Sequence, residues 1–238
     1  MRASSVVSVT DAPEGAARTA ATGTPRGGRR TYRRLAWAVG ALIVAAVLAV
    51  TFPAWRFKVP YGVMLTSTYL LTWGPLVIAL AATALFWRRF LRFRPIDICL
   101  GIMAGVVARA VGIIVQFLGT GRMPSSDLML GGISGVYVFT TLIAPIIIAP
   151  LVEEPFFRGL LQGSLDRVLR PWVSLIVTAV VFTLVHTIAD GWSWMLIVTL
   201  LVFALLTGYV TQRTKRLAPA IIGHMVFNGL AALIAWPW

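Results

Sequence analysis

Two adjacent carboxylates, Glu153 and Glu154, stand in the stretch Ala149-Pro150-Leu151-Val152-Glu153-Glu154-Pro155-Phe156-Phe157-Arg158-Gly159, at the end of a long apolar run. They are two of only three glutamates in the chain. Its two histidines, His186 and His224, follow inside further apolar segments. Carboxylates beside lipid-soluble sequence are costly to keep, and such residues mark places where function requires them. On a helix, Glu154 and Arg158 are four apart and share a face, so they can form an ion pair. Glu153 lies about 100° further round and is left for chemistry. Phe182 stands one helical turn before His186, and Asn228 one turn after His224. In a low-dielectric interior each polar group needs a partner, and these are natural partners for one another. The plainer alternative makes the glutamates caps on the cytoplasmic end of a span and the histidines satisfied core residues. Two histidines with no others anywhere, an aligned Asn and a Glu pair weigh against it.

The elements that must position these groups are membrane helices. Of 238 residues, 58% are hydrophobic and 12% charged, more apolar surface than a soluble domain of this size buries. The net charge of +13 would suit nucleic acid, but the basic residues cluster in short segments between apolar runs. A nucleic-acid partner is therefore not expected, and the lipid bilayer is. Apolar runs long enough to cross about 30 Å of hydrocarbon fall at about 35–53, 63–87, 97–118, 135–157, 172–189, 193–210 and 217–236. The fold class expected is all-α, a polytopic transmembrane bundle of about seven spans, or eight. Lys and Arg counts in the tail and successive connections are 7, 2, 4, 1, 3, 0 and 3. This alternation predicts a cytoplasmic N-terminus.

Residues 1–34 read as a disordered basic cytoplasmic tail, 35–94 as the first two spans, and 95–238 as the catalytic helical core. The segment 158–170 is amphipathic and basic, which fits an interfacial helix or a cytoplasmic extension of the fourth span. Arg109, inside the third span, either helps neutralise the carboxylate pair or anchors the structure. The only cysteine, Cys99, reads as an inert buried thiol. Trp192, Trp194, Trp236 and Trp238 fall near span ends as belt anchors. Gly223 and Gly229 flank the His224–Asn228 pair and permit close helix approach.

Depth turns the glutamate pair from a cap into a centre. Glu153 is 14 residues above Arg167, or about 21 Å at 1.5 Å per residue. His186 is as far from Trp172; Asn228 comes out about 16 Å deep and His224 about 10 Å. The run from 135 to 167 is too long to cross straight, so Pro145, Pro150 or Pro155 must bend it. Pro155 can release the Leu151 carbonyl and widen the helix around the carboxylates. A polar cavity inside the bilayer, open toward the cytoplasm, is the expectation.

Glu-Glu-x-x-x-Arg at 153–158, Phe-x-x-x-His at 182–186 and His-x-x-x-Asn at 224–228, in that order on separate spans, resemble the CAAX-protease and bacteriocin-processing family of intramembrane endopeptidases. The likeness runs over roughly residues 95 to 236. It implies that Glu153, Glu154, His186, His224 and Asn228 are functional positions, with Arg158 and Phe182 in support, and that a membrane-associated protein or peptide, lipidated in the prenyl-protease branch, is cut. Hydrolysis needs an activated water, oxyanion stabilisation and a proton for the leaving amine. Glu153 is suited to be the base, with His186 on the same water, Asn228 and His224 near the oxyanion, and Glu154, paired with Arg158, positioning the site. Two cofactor readings stand: none, or a divalent metal such as zinc held by His186, His224 and Glu153. The soluble-protease His-Glu-x-x-His helix is absent, so such ligands would have to converge from three helices. A non-catalytic immunity or scaffold factor and a proton-coupled transporter are the readings from other classes.

Overall fold

The computed structural model describes residues 28–51, 61–84, 88–123 and 135–234. Among them it contains seven helical runs and no strand: α1 (Arg29–Thr51), α2 (Tyr61–Ala82), α3 (Ile96–Thr120), α4 (135–165), α5 (Pro171–Asp190), α6 (Trp194–Thr214) and α7 (Ala218–Ile234), with a short 3-10 turn at Arg88–Phe90 before α3. Five of these, α1, α2, α3, α5 and α6, are long and apolar enough to cross a membrane. The protein is a multi-pass, all-helical membrane protein. Residues 1–27 of the expected tail, and Trp236 and Trp238, lie outside the described residues. α1 begins at Arg29, so Arg29, Arg30, Arg33 and Arg34 lie on its first turns, inside the segment read as tail. Arginine is a good helix former, and its long stem lets the charge reach the headgroups from a helical turn.

Burial is sorted by size and polarity rather than by hydrophobicity. On α3 the buried stripe is Asp97, Gly101, Ala104, Gly105, Ala108 and Gly112. Ile102, Met103, Val106 and Val107 face outward. Lipid tails solvate large apolar side chains as well as a protein core does, so helices meet through small residues. A Cβ on Gly105 would come 2.5 Å from the Gly223 carbonyl, so α3 and α7 pack backbone to backbone there. Gly229 makes no comparable approach; its nearest such neighbour is 4.0 Å away. The same sorting corrects the reading of Cys99, which is exposed on the outer face of α3.

α4 is the central element, touching α1, α2, α5, α6 and α7. It is not a plain α-helix. π-helical turns at Phe139–Ile148 and Pro155–Gln162 flank an α-helical turn, Ala149–Glu154, that carries both glutamates. The long run is thus accommodated by widening, with Ile148 and Glu154 remaining right-handed helical. A proline cannot donate and crowds the carbonyl four residues back, and a wider turn relieves both problems. Residues 155 to 164 are all buried, Arg158 and Gln162 included. The segment 158–170 is therefore not an interfacial helix over this stretch; its polar face points into the bundle.

The turn before α7 is clamped. Arg216 holds the buried Asp97 at the start of α3 through Nε and Nη2, with contacts of 2.6 to 2.9 Å. The Leu217 N–H donates to the Phe90 carbonyl at 2.9 Å. These contacts fix the height at which α7 starts, and so the height of His224 two turns later.

Candidate active site

Glu153 and Glu154 are neighbours in sequence but face different partners. Glu154 is fully buried; its Oε2 accepts from Arg158 Nε at 3.1 Å and its Oε1 meets His224 Nδ1 at 3.0 Å. Glu153 Oε2 faces His186 Nε2 at 3.5 Å, and its Oε1 accepts from Trp73 Nε1 at 3.0 Å. The side chains of His186 and Glu153 retain 22% and 11% exposure, against 5% and 0% for His224 and Glu154. Two layers result: a Glu153–His186 pair in which the histidine keeps some exposure while Glu153 Oε2 is buried, and a more deeply sealed Glu154–Arg158–His224 set behind it.

His186 Nδ1 lies 2.9 Å from the Phe182 carbonyl. A carbonyl only accepts, so Nδ1 carries a proton, and Nε2 is the nitrogen turned toward Glu153. The ring also stacks on Phe182, with centroids 4.2 Å apart. Phe203 covers His224 at 4.9 Å and stacks on Phe227 at 4.6 Å. Both imidazoles are thus held by aromatic walls, each presenting one nitrogen to a carboxylate.

Asn228 Nδ2 donates to the Pro145 carbonyl at 2.7 Å. The reason is written in the proline spacing. In the first π segment the donor to a carbonyl comes from five residues on, as the Ala149 N–H shows by bonding Ala144. For Pro145 that donor would be Pro150, which has no N–H. A buried carbonyl needs a substitute, and Asn228 supplies it. The Thr140 carbonyl, five residues before Pro145, is met in the same way by the Tyr69 hydroxyl at 2.7 Å. One N–H of the Asn228 amide is therefore committed to positioning, and the other is unassigned.

With three helices converging on one carboxylate pair, the motifs read from sequence lie in one site. Residues 135–230 match the family described as type II CAAX prenyl endopeptidase Rce1-like. Over this segment the chain resembles the CAAX-protease family. The matched segment holds all seven candidate residues; α3, which the sequence likeness included, lies before it. No curated protein and no solved structure matches the chain.

Among the described residues of the matched segment, His186, His224 and Glu153 do not form a metal-binding group. His224 turns Nδ1 onto Glu154, and no three His, Cys, Asp or Glu side chains converge in a metal-binding group among the described residues. Arg109 is resolved in favour of anchoring. Its Nε and Nη2 donate to the Phe227 carbonyl at 3.0 and 2.8 Å, and its guanidinium lies 3.9 Å over the Phe227 ring. It lines a cavity of about 450 Å³ between α3, α6 and α7 that contains neither Glu153 nor His186.

Two groups at the site carry no motif. Trp73 comes from α2, outside the family match, and stacks on Tyr69 with centroids 4.7 Å apart. Its signal was position: a tryptophan in the middle of a span, away from the interfacial belt, needs a partner for its N–H. The other is the Pro145 carbonyl, whose signal was the run of prolines at intervals of five.

Proposed function

We propose that the protein is an intramembrane endopeptidase that hydrolyses a peptide bond of a membrane-associated protein or peptide, with Glu153 as general base and no bound metal. The observation that carries this is the Glu153–His186 pair. At 3.5 Å the two atoms are too far apart for a strong direct hydrogen bond, Glu153 Oε2 is buried with no hydrogen-bond partner among the described residues, and with His186 neutral both atoms would accept from one water. A water there donates one proton to each. Glu153 takes a proton as the water oxygen adds to the scissile carbonyl carbon. The C–N bond then breaks, and the same proton passes to the leaving amine.

The oxyanion needs donors already in place. His224 offers Nε2, since Nδ1 is on Glu154, and Asn228 offers its second N–H. For Nε2 to donate, His224 carries both ring protons, and Glu154 beneath it is the counter-charge it shares with Arg158. With Glu153 and Glu154 ionised against Arg158 and His224, the set is neutral, which suits a site inside hydrocarbon. The alternation of basic connections supports a cytoplasmic N-terminus and a site opening toward that side. The likeness of residues 135–230 supports a CAAX-type protease, whose substrate would be lipidated if it follows the prenyl-protease branch. Comparing membrane proteomes of cells carrying wild-type and Glu153→Ala protein tests this reading. A substrate appears uncut only in the variant; identical proteomes contradict it.

A further inference from the structure

Below the Glu154–Arg158 pair, α4 continues as a polar stripe of four-residue spacing: Glu154, Arg158, Gln162, Asp166. Glu154, Arg158 and Gln162 are at most 1% exposed. At the far end, Asp166 accepts from Gln212 at 2.7 Å, where α6 reaches the bundle end marked by Arg167. Between those ends the polar atoms do not close on one another. Nη1 and Nη2 of Arg158, Oε1 of Gln162 and the Thr178 hydroxyl are all sealed from solvent with no hydrogen-bond partner among the described residues.

Register puts these atoms in one layer. α5 runs antiparallel to this part of α4, because the Ser174 hydroxyl donates to the Gln162 carbonyl while Phe182 lies against Arg158, 5.1 Å from ring centroid to guanidinium. Thr178 is one turn from each of Ser174 and Phe182, so it falls between Gln162 and Arg158. Its hydroxyl has not turned back onto its own helix, as those of Thr187, Thr207 and Thr211 do with the carbonyls four residues before them. Gln162 spends its Nε2 on the Gly208 carbonyl at 3.1 Å and presents its oxygen to the layer. The guanidinium supplies donors, the amide oxygen an acceptor, and the hydroxyl either.

We infer that ordered water fills this layer and forms a back route by which water reaches the Glu153 site from the Asp166–Gln212 end of the bundle. Water fits better than an anion because the Arg158 charge is already matched by Glu154. Each buried group gains the partner that it otherwise lacks, at the modest entropic cost of an ordered water. Hydrolysis consumes one water per bond cut, and Glu153 Oε2 is itself buried, so water must reach it through the bundle. The delivery role rests on the endopeptidase reading; the water layer does not.

The test has two arms. An experimental structure of the full chain, at a resolution that shows ordered water, is expected to place water within hydrogen-bonding distance of Arg158 Nη and of Thr178 Oγ1 or Gln162 Oε1. Direct protein contacts in the layer, or a bound anion, overturn the proposal whether or not the protein cuts peptides. Thr178→Val, nearly isosteric, then removes one bridging group. It is expected to lower kcat about tenfold, as for one lost hydrogen bond, with KM and thermal stability little changed. An unchanged kcat, with the water layer present, overturns the delivery role alone.

Discussion

The Glu154 carboxylate and the His224 imidazole, 70 residues apart in sequence, meet at 3.0 Å in a fully buried contact. This contact decides which imidazole nitrogen faces the reactive side, and it leaves the other carboxylate oxygen for Arg158. Removing the cation strands a buried charge. Arg158→Leu is therefore expected to destabilise the protein by about 3–5 kcal/mol, read by denaturant unfolding in detergent. Glu154→Gln combined with Arg158→Leu should recover part of that loss, because no ion then remains without its counter-ion.

Pro150 acts at the site through an atom that it lacks. Pro150→Ala supplies an N–H to the Pro145 carbonyl, which then no longer needs Asn228. The amide is released from its position, and kcat is expected to fall about tenfold or more, as for a misplaced oxyanion donor. Thermal stability should hold or rise, since a backbone hydrogen bond is gained. A fall in stability together with activity would point to simple disruption of α4 instead.

Trp73 donates to the very carboxylate proposed as base. Trp73→Phe keeps an aromatic ring against Tyr69 but deletes the donor. A hydrogen bond to a charged group is worth about 1.5–3 kcal/mol, so kcat/KM should drop roughly ten- to a hundredfold. Steady-state kinetics on one peptide substrate check this, with Trp37→Phe, on an exposed face of α1, as the control expected to change nothing.

If Glu153 and His186 activate water without a metal, a strong chelator leaves the cleavage rate of purified protein unchanged, and metal analysis finds no stoichiometric ion. Loss of activity on chelation, restored by zinc, would instead return His186, His224 and Glu153 to the role of ligands.

Helix bounds were legible because length and hydropathy set them: α3, α5, α6 and α7 each start and end within four residues of the apolar runs. The pairing of two carboxylates with two histidines was legible because unpaired polar groups are so costly in hydrocarbon. What faces inward was not. In a membrane bundle an apolar residue is at home on either side, so Cys99 read as buried and proved exposed, while Gln162, in a segment read as an interfacial helix or a cytoplasmic extension of the fourth span, proved buried. Trp73 was hidden for another reason: a donor from a helix outside the motifs has no sequence spacing to the group it serves. The five-residue proline interval was visible, but its meaning depends on a π register that periodicity of 3.6 does not suggest.

The central claim is that Glu153 removes the proton from the attacking water. Glu153→Gln keeps the shape and the Trp73 contact but cannot accept that proton as the carboxylate does. In purified variant that unfolds at the wild-type temperature, peptide cleavage is expected to fall by at least about a hundredfold, the contribution of a positioned base. Full cleavage by that folded variant would contradict the account.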